Sequence, residues 1–122
     1  MSHELYYDSY VGCVVLNVKN TVTIDRIKTI APKVAHMCSK TGCRRLLNDM
    51  SEATIKVSLL ELFESPQIMS ESDVTQSIKR ALVIPPTFDE PEFLENVTRN
   101  RGHNFKVFED VKQARKWLLS EE

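Results

Sequence analysis

The sequence predicts an α/β layer sandwich, a mixed and mostly parallel five-stranded sheet with about four helices and an antiparallel first strand. Three observations predict it. Runs rich in β-branched and aliphatic residues alternate with amphipathic stretches in the order β-β-α-β-α-β-α-β-α. The first two strand-like runs adjoin through a short Asp-Ser link, which reads as a hairpin and makes that pair antiparallel. Every later strand is separated from its predecessor by a helix, so those strands are joined by right-handed crossovers and run parallel.

The first strand is the apolar piece Leu5, Tyr6 and Tyr7, and the second is Tyr10 to Val18. Between them stand Asp8 and Ser9. The first helix follows from Ile24, Ile27, Ala31, Val34 and Cys38, which recur at intervals of three and four, with Thr23 or Thr21 as cap and Gly42 as stop. Pro32 lies inside that phase, so one helix kinked near Lys28 and Thr29 is expected. Cys43 to Met50 reads as a core strand ending in the polar pair Asn48 and Asp49. Val57 to Glu64 favours a short helix that Pro66 ends, and Pro66 to Asp73 reads as a further short helical turn. Ile78 to Ile84 is a third core strand, stopped by Pro85 and Pro86. Pro91 to Arg101 has proline in its first turn, acids early, arginines late and Gly102 after its end. Phe105 to Phe108 makes the last strand. Asp110 with Gln113 forms a capping box for a final helix that buries Val111, Ala114, Trp117 and Leu118.

No linker, repeat or low-complexity stretch divides the 122 residues, so residues 1–122 are expected to form one domain. With 16 basic against 17 acidic side chains and a pI near 6.3, no global field holds a polyanion, and nucleic-acid binding is not expected. The N-terminus lacks a basic region followed by an apolar core, and no stretch has the roughly 20 apolar residues that cross a bilayer. Three cysteines, Cys13, Cys38 and Cys43, read as free thiols in a reducing, cytoplasmic setting. His36, Cys38 and Cys43 match no zinc spacing, so no metal is expected. Only three glycines occur, too few for a phosphate-cradling loop, and no G-x-S-x-G is present. Enzyme action and a cofactor are accordingly not expected.

The stretch Phe93 to Leu119, FLENVTRNRGHNFKVFEDVKQARKWLL, resembles the signature of small SpoIIAA-like proteins: a helix ending Asn-Arg-Gly, a strand ending Val-Phe, an acidic turn, and a helix closing Trp-Leu-Leu. The strand through Gly12, the helix closed by Gly42-Cys43 and the strand ending Leu47-Asn48-Asp49 extend the likeness over nearly the whole chain. This group stands near the STAS domains of anti-sigma-factor antagonists and near the lipid-binding CRAL-TRIO fold. The resemblance implies a SpoIIAA-like layered sheet, no enzyme activity, and a non-catalytic binding or regulatory module; the alternative is a small lipid or fatty-acid carrier. Anti-sigma-factor antagonists carry an Asp-Ser-Ser-Gly turn whose serine is phosphorylated. Ser58 falls about where that serine would be, but here the region reads Ile55-Lys56-Val57-Ser58-Leu59, and the aspartate and glycine are missing.

Two surfaces are candidates. In open α/β sheets ligands bind beyond the carboxyl ends of the strands, which selects Asn48, Asp49 and Ser51 after one strand, Pro85, Pro86 and Thr87 after the next, and Glu109 and Asp110 after the last. The segment that follows Ser51 is apolar at Ile55, Val57, Leu59, Leu60, Leu62 and Phe63, more than one helix face can bury, so Asp49, Ser51, Ser58, Leu59, Leu60 and Phe63 are the expected region for a protein partner, an apolar ligand or self-association into a homo-oligomer. The second is a basic stripe of Arg26, Lys33 and Lys40 at seven-residue spacing, read as a solvated helix face or, more sharply, a contact for an anionic surface.

Overall fold

The computed structural model describes residues 3–71 and 77–120. β1 (His3–Asp8) and β2 (Cys13–Val18) form an antiparallel hairpin in which Asp8 faces Cys13. The turn between them is set by Asp8, whose Oδ1 accepts the N–H groups of Tyr10 and Val11 while its carbonyl accepts that of Gly12. Gly12 has φ +77°, left-handed backbone that other residues rarely adopt. Tyr10, Val11 and Gly12 therefore belong to the turn, not to the strand the apolar run suggests. An Asx turn that ends on a left-handed glycine outweighs β propensity there.

α1 (Ile24–Thr41) runs as one helix through Pro32, capped by Thr23 and closed by Gly42 at φ 72°. β4 (Arg45–Asp49), β6 (Lys79–Val83) and β7 (Phe105–Phe108) follow β2 in parallel, giving the sheet order β1-β2-β4-β6-β7. α3 (Pro91–Asn100) begins on its proline, and α4 (Val111–Leu119) is capped by Asp110, whose carboxylate accepts from the N–H of Lys112 at 2.7 Å. The sheet is mixed and five-stranded, its first strand antiparallel and the rest parallel.

Two features depart from the sequence reading. α2 spans Leu59–Glu71 with Pro66 inside it, where the proline is expected to end a helix. Pro66 has no N–H to give the carbonyl of Leu62, and the hydroxyl of Ser65 donates to that oxygen instead, at 2.8 Å. The buried ring of Pro66 fixes the turn against the core, so the helix continues. The expected break and separate turn from Pro66 are thus one helix, and Asp73 lies outside the described residues. Second, β3 (Asn20–Val22) and β5 (Ala53–Ile55) form an unanticipated parallel two-stranded sheet beside the carboxyl ends of β2 and β4. Three-residue strands carry too little periodicity to be read.

Alternation along each strand divides the apolar interior in two. Val14, Leu16, Leu46 and Leu82 face α1, α2 and α3, while Cys13, Val15, Leu47 and Val83 face α4 through Trp117 and Leu118. Burial raises the thiol pKa of both Cys13 and Cys38, the latter to about 11, with Cys43 adding to each effect. These thiols stay protonated and pack as small apolar groups.

Candidate functional site

The region from Asp49 to Phe63 divides into a turn and an exposed helix start. Asp49 ends β4, and its Oδ1 accepts the backbone N–H of Ser51 at 3.0 Å and the Ser51 hydroxyl at 2.7 Å. The carboxylate shapes its own turn, which is the work of an Asx residue. Ser58 caps α2 reciprocally: its Oγ accepts the Glu61 N–H at 3.2 Å, and Glu61 Oε1 accepts the Ser58 N–H at 2.9 Å. This is a capping box, and the S-x-x-E spacing at Ser58 and Glu61 is the sequence signal for it. Among the described residues no hydrogen bond joins the Asp49–Ser51 turn to this helix start.

The apolar surplus of the segment is split by the helix period. Ile55, Val57, Leu62 and Met69 pack into the interior. Leu59, Leu60 and Phe63 do not, and are 53%, 67% and 48% exposed. They occupy successive positions and one turn onward, so they make one continuous apolar face. The guanidinium of Arg101 lies 5.2 Å over the Phe63 ring and borders it with positive charge.

The basic stripe is shorter than its spacing implies. Arg26 is only 5% exposed, and its Nη1 donates to the carbonyls of Lys19 at 2.8 Å and Thr21 at 2.9 Å. It ties the β3 strand to α1, so it presents no charge to a surface. Lys33 and Lys40 remain exposed on the helix.

Beneath α1, α2 and α3 lies an apolar cavity of about 100 Å³. Sequence periodicity does not disclose it, because the residues that line it are the ordinary inward positions of both sheets and three helices. His103, buried in the connection from α3 to β7, touches two of the lining residues: Nδ1 is 3.1 Å from Arg80 Nη2, and the ring also hydrogen-bonds the carbonyl of Pro66. Burial, followed by the charges of Arg80 and Arg101, holds its pKa below the ordinary 6.5, against a smaller upward pull from the Pro66 carbonyl. The neutral imidazole is the form that fits. Since the folded value is the depressed one, the stabilisation it gives is whole above 6.5 and is lost as the pH falls through the lowered value. Urea unfolding is expected to give a lower free energy at about pH 5 than at about pH 7.5, with a shallower decline in His103→Gln. An identical decline in the variant would assign the loss to other groups. Among the described residues no three His, Cys, Asp or Glu side chains gather as a metal site, and no helix is long and apolar enough to cross a membrane.

Comparison with known proteins places the fold. No family model and no curated protein matches the chain. Among solved structures it is similar to an uncharacterised protein of the DUF3478 family with a SpoIIAA-like fold from Shewanella loihica PV-4, at TM-score 0.57 and 15% identity over 96% of this chain and 92% of that one. It is also similar to the anti-sigma factor antagonist SpoIIAA in its unphosphorylated form, at TM-score 0.51 and 6% identity over 92% of each chain. The chain has a SpoIIAA-like fold. At these identities the likeness concerns the path of the backbone alone.

Proposed function

We propose that the chain is a non-catalytic binding module that takes a protein partner on the face formed by Leu59, Leu60 and Phe63. The observation that carries this reading is the exposure of three large apolar side chains on one helix start, rigidly capped by Ser58 and Glu61. Apolar groups grouped in this way mark association surfaces, and the neighbouring Arg101 supplies the polar rim. One of the solved structures of the same fold is that of an anti-sigma factor antagonist. A cytoplasmic setting is in keeping with the three free thiols. The lipid-carrier alternative needs a chamber of about 300 Å³ or more, and the cavity under the helices measures about 100 Å³.

Leu60→Glu tests the reading without threatening the core, since an exposed substitution shifts unfolding free energy by less than about 0.5 kcal/mol. A photocrosslinking residue at Leu60 is expected to form a discrete adduct with a second copy or with another protein, one that Phe63→Glu abolishes. The same residue at Lys112 on α4 is expected to form none. Native mass spectrometry is expected to show protein alone. A retained lipid mass would move the function to carriage, and unfolding of Leu60→Glu would assign the face to the core.

A further inference from the structure

β6 carries two adjacent cations, which alternation sends to opposite sides of the sheet. Lys79 turns toward α4 and is answered there: Nζ donates to the carbonyls of Trp117 at 2.6 Å and Ser120 at 3.0 Å. Arg80 turns the other way and lines the cavity. It is 6% exposed, its one side-chain hydrogen-bond partner is the neutral ring of His103, and its Nε has none. Among the described residues no carboxylate pairs with it. A guanidinium taken out of water without an anion is costly, and a fold that keeps one has a place for an anion.

A second orphan stands beside it. Leu46 lies opposite Arg80 across the β4–β6 pair, and Asn48, two residues further along β4, projects from the same face. Asn48 also lines the cavity, and its Oδ1 is buried without a partner. The two other polar side chains there are already engaged, Ser65 with the carbonyl of Leu62 and Thr98 with that of Leu94. The rest of the lining is apolar. The chamber therefore offers one unused cationic donor, one unused acceptor and a greasy wall.

We propose that this cavity is a binding site for a short monocarboxylate, its carboxylate on Arg80, its carbon end against the apolar lining, and, where the acid bears a hydroxyl, that hydroxyl donating to Asn48 Oδ1. A single cation selects a monoanion, and the planar guanidinium suits a planar carboxylate. Size sets the class: a cavity of about 150 Å³ accepts benzene, so one of about 100 Å³ accepts roughly four to six non-hydrogen atoms, which is an acid of two or three carbons. Long-chain fatty acids share the headgroup chemistry but exceed the space several-fold. This site is separate from the partner face on α2, and each stands or falls without the other.

The test is a titration of ¹⁵N-labelled native protein with lactate, propionate, propionamide and decanoate, followed at the Arg80 Nε–H and backbone resonances. Saturable shifts at Arg80 are expected with lactate and propionate, and none with the neutral amide. Asn48→Leu is expected to weaken lactate by at least fivefold while leaving propionate nearly unchanged, and Arg80→Met to abolish both. The native-protein comparison of propionate with propionamide decides the matter even where a variant folds poorly. Equal response to acid and amide would show an apolar void with no anion site. No saturation with any short acid would leave the cavity to water, and tight decanoate binding with displacement of lactate would make it an acyl-chain site. Each of these three overturns the proposal.

Discussion

Trp117→Ala is expected to lower the unfolding free energy by roughly 3–5 kcal/mol, a large share of what a domain of this kind commonly has. The magnitude follows from position. Among the described residues α4 is the helix that covers the second face of the sheet, packing on β4, β6 and β7. Trp117 fills the centre of that layer, its ring centroid 5.8 Å from that of Phe108 and 4.5 Å from Lys79 Nζ. Truncation opens a cavity and also removes the aromatic face over which a buried ammonium sits. Urea denaturation of Trp117→Ala, Lys79→Met and the double variant measures both effects. The double variant is expected to lose less than the sum of the two, because each single change already disturbs the same Lys79–α4 junction. A loss below about 1 kcal/mol in Trp117→Ala would reduce the ring to surface cover.

Arg80→Met is expected to work in the opposite direction and raise stability by about 1–2 kcal/mol, read as a Tm increase of several degrees. Burial pushes the Arg80 guanidinium down to about 10 from the usual 12.5, a difference that corresponds to about 3 kcal/mol against the charged form. At neutral pH the group still carries its charge and so bears that cost. Methionine removes the cost while keeping much of the side-chain volume. It forfeits the contact of Nη2 with His103, worth about 1 kcal/mol, and the guanidinium 5.2 Å over the Phe105 ring, worth about 0.5–1 kcal/mol. The remainder is a gain. A variant less stable than the native chain by about 1 kcal/mol or more would mean that the guanidinium is satisfied within the fold. A gain in the variant would mean that Arg80, which lines a mostly apolar chamber, stands there at a cost in stability.

Much of this architecture was legible in residues whose effect is local. The spacing of Ile27, Ala31, Val34 and Cys38 with Thr23 before and Gly42 after located α1, and Pro85 and Pro86 marked the end of β6. The errors arose where one side chain reassigns another's preference. Asp8 bends Tyr10 and Val11 out of a strand their type favours, and the Ser65 hydroxyl lets α2 pass through Pro66. The candidate residues fared by the same logic. Leu59, Leu60 and Phe63 were legible as a surplus over one buried face. Arg26 was misplaced because a seven-residue spacing fixes a helix face approximately, whereas the nearby carbonyls of Lys19 and Thr21 draw its guanidinium inward. Lys79 and Arg80 were passed over in reading Ile78 to Ile84 as a core strand, although two charges inside an otherwise apolar run form a pattern that demands partners. Which of the two finds them depends on the far side of the sheet, and that is decided by the tertiary fold.

The pairing of β3 with β5 has a mechanical consequence. It splints together the two chain segments that lead into α1 and α2, with Val22 beside Ile55 and the N–H of Lys56 held by the carbonyl of Val22. With Ser58 and Glu61 locking the next turn, the near end of α2 is tied to the segment leading into α1 through one hydrogen-bonded joint. The Leu59–Phe63 face follows directly on that joint and takes its position from it.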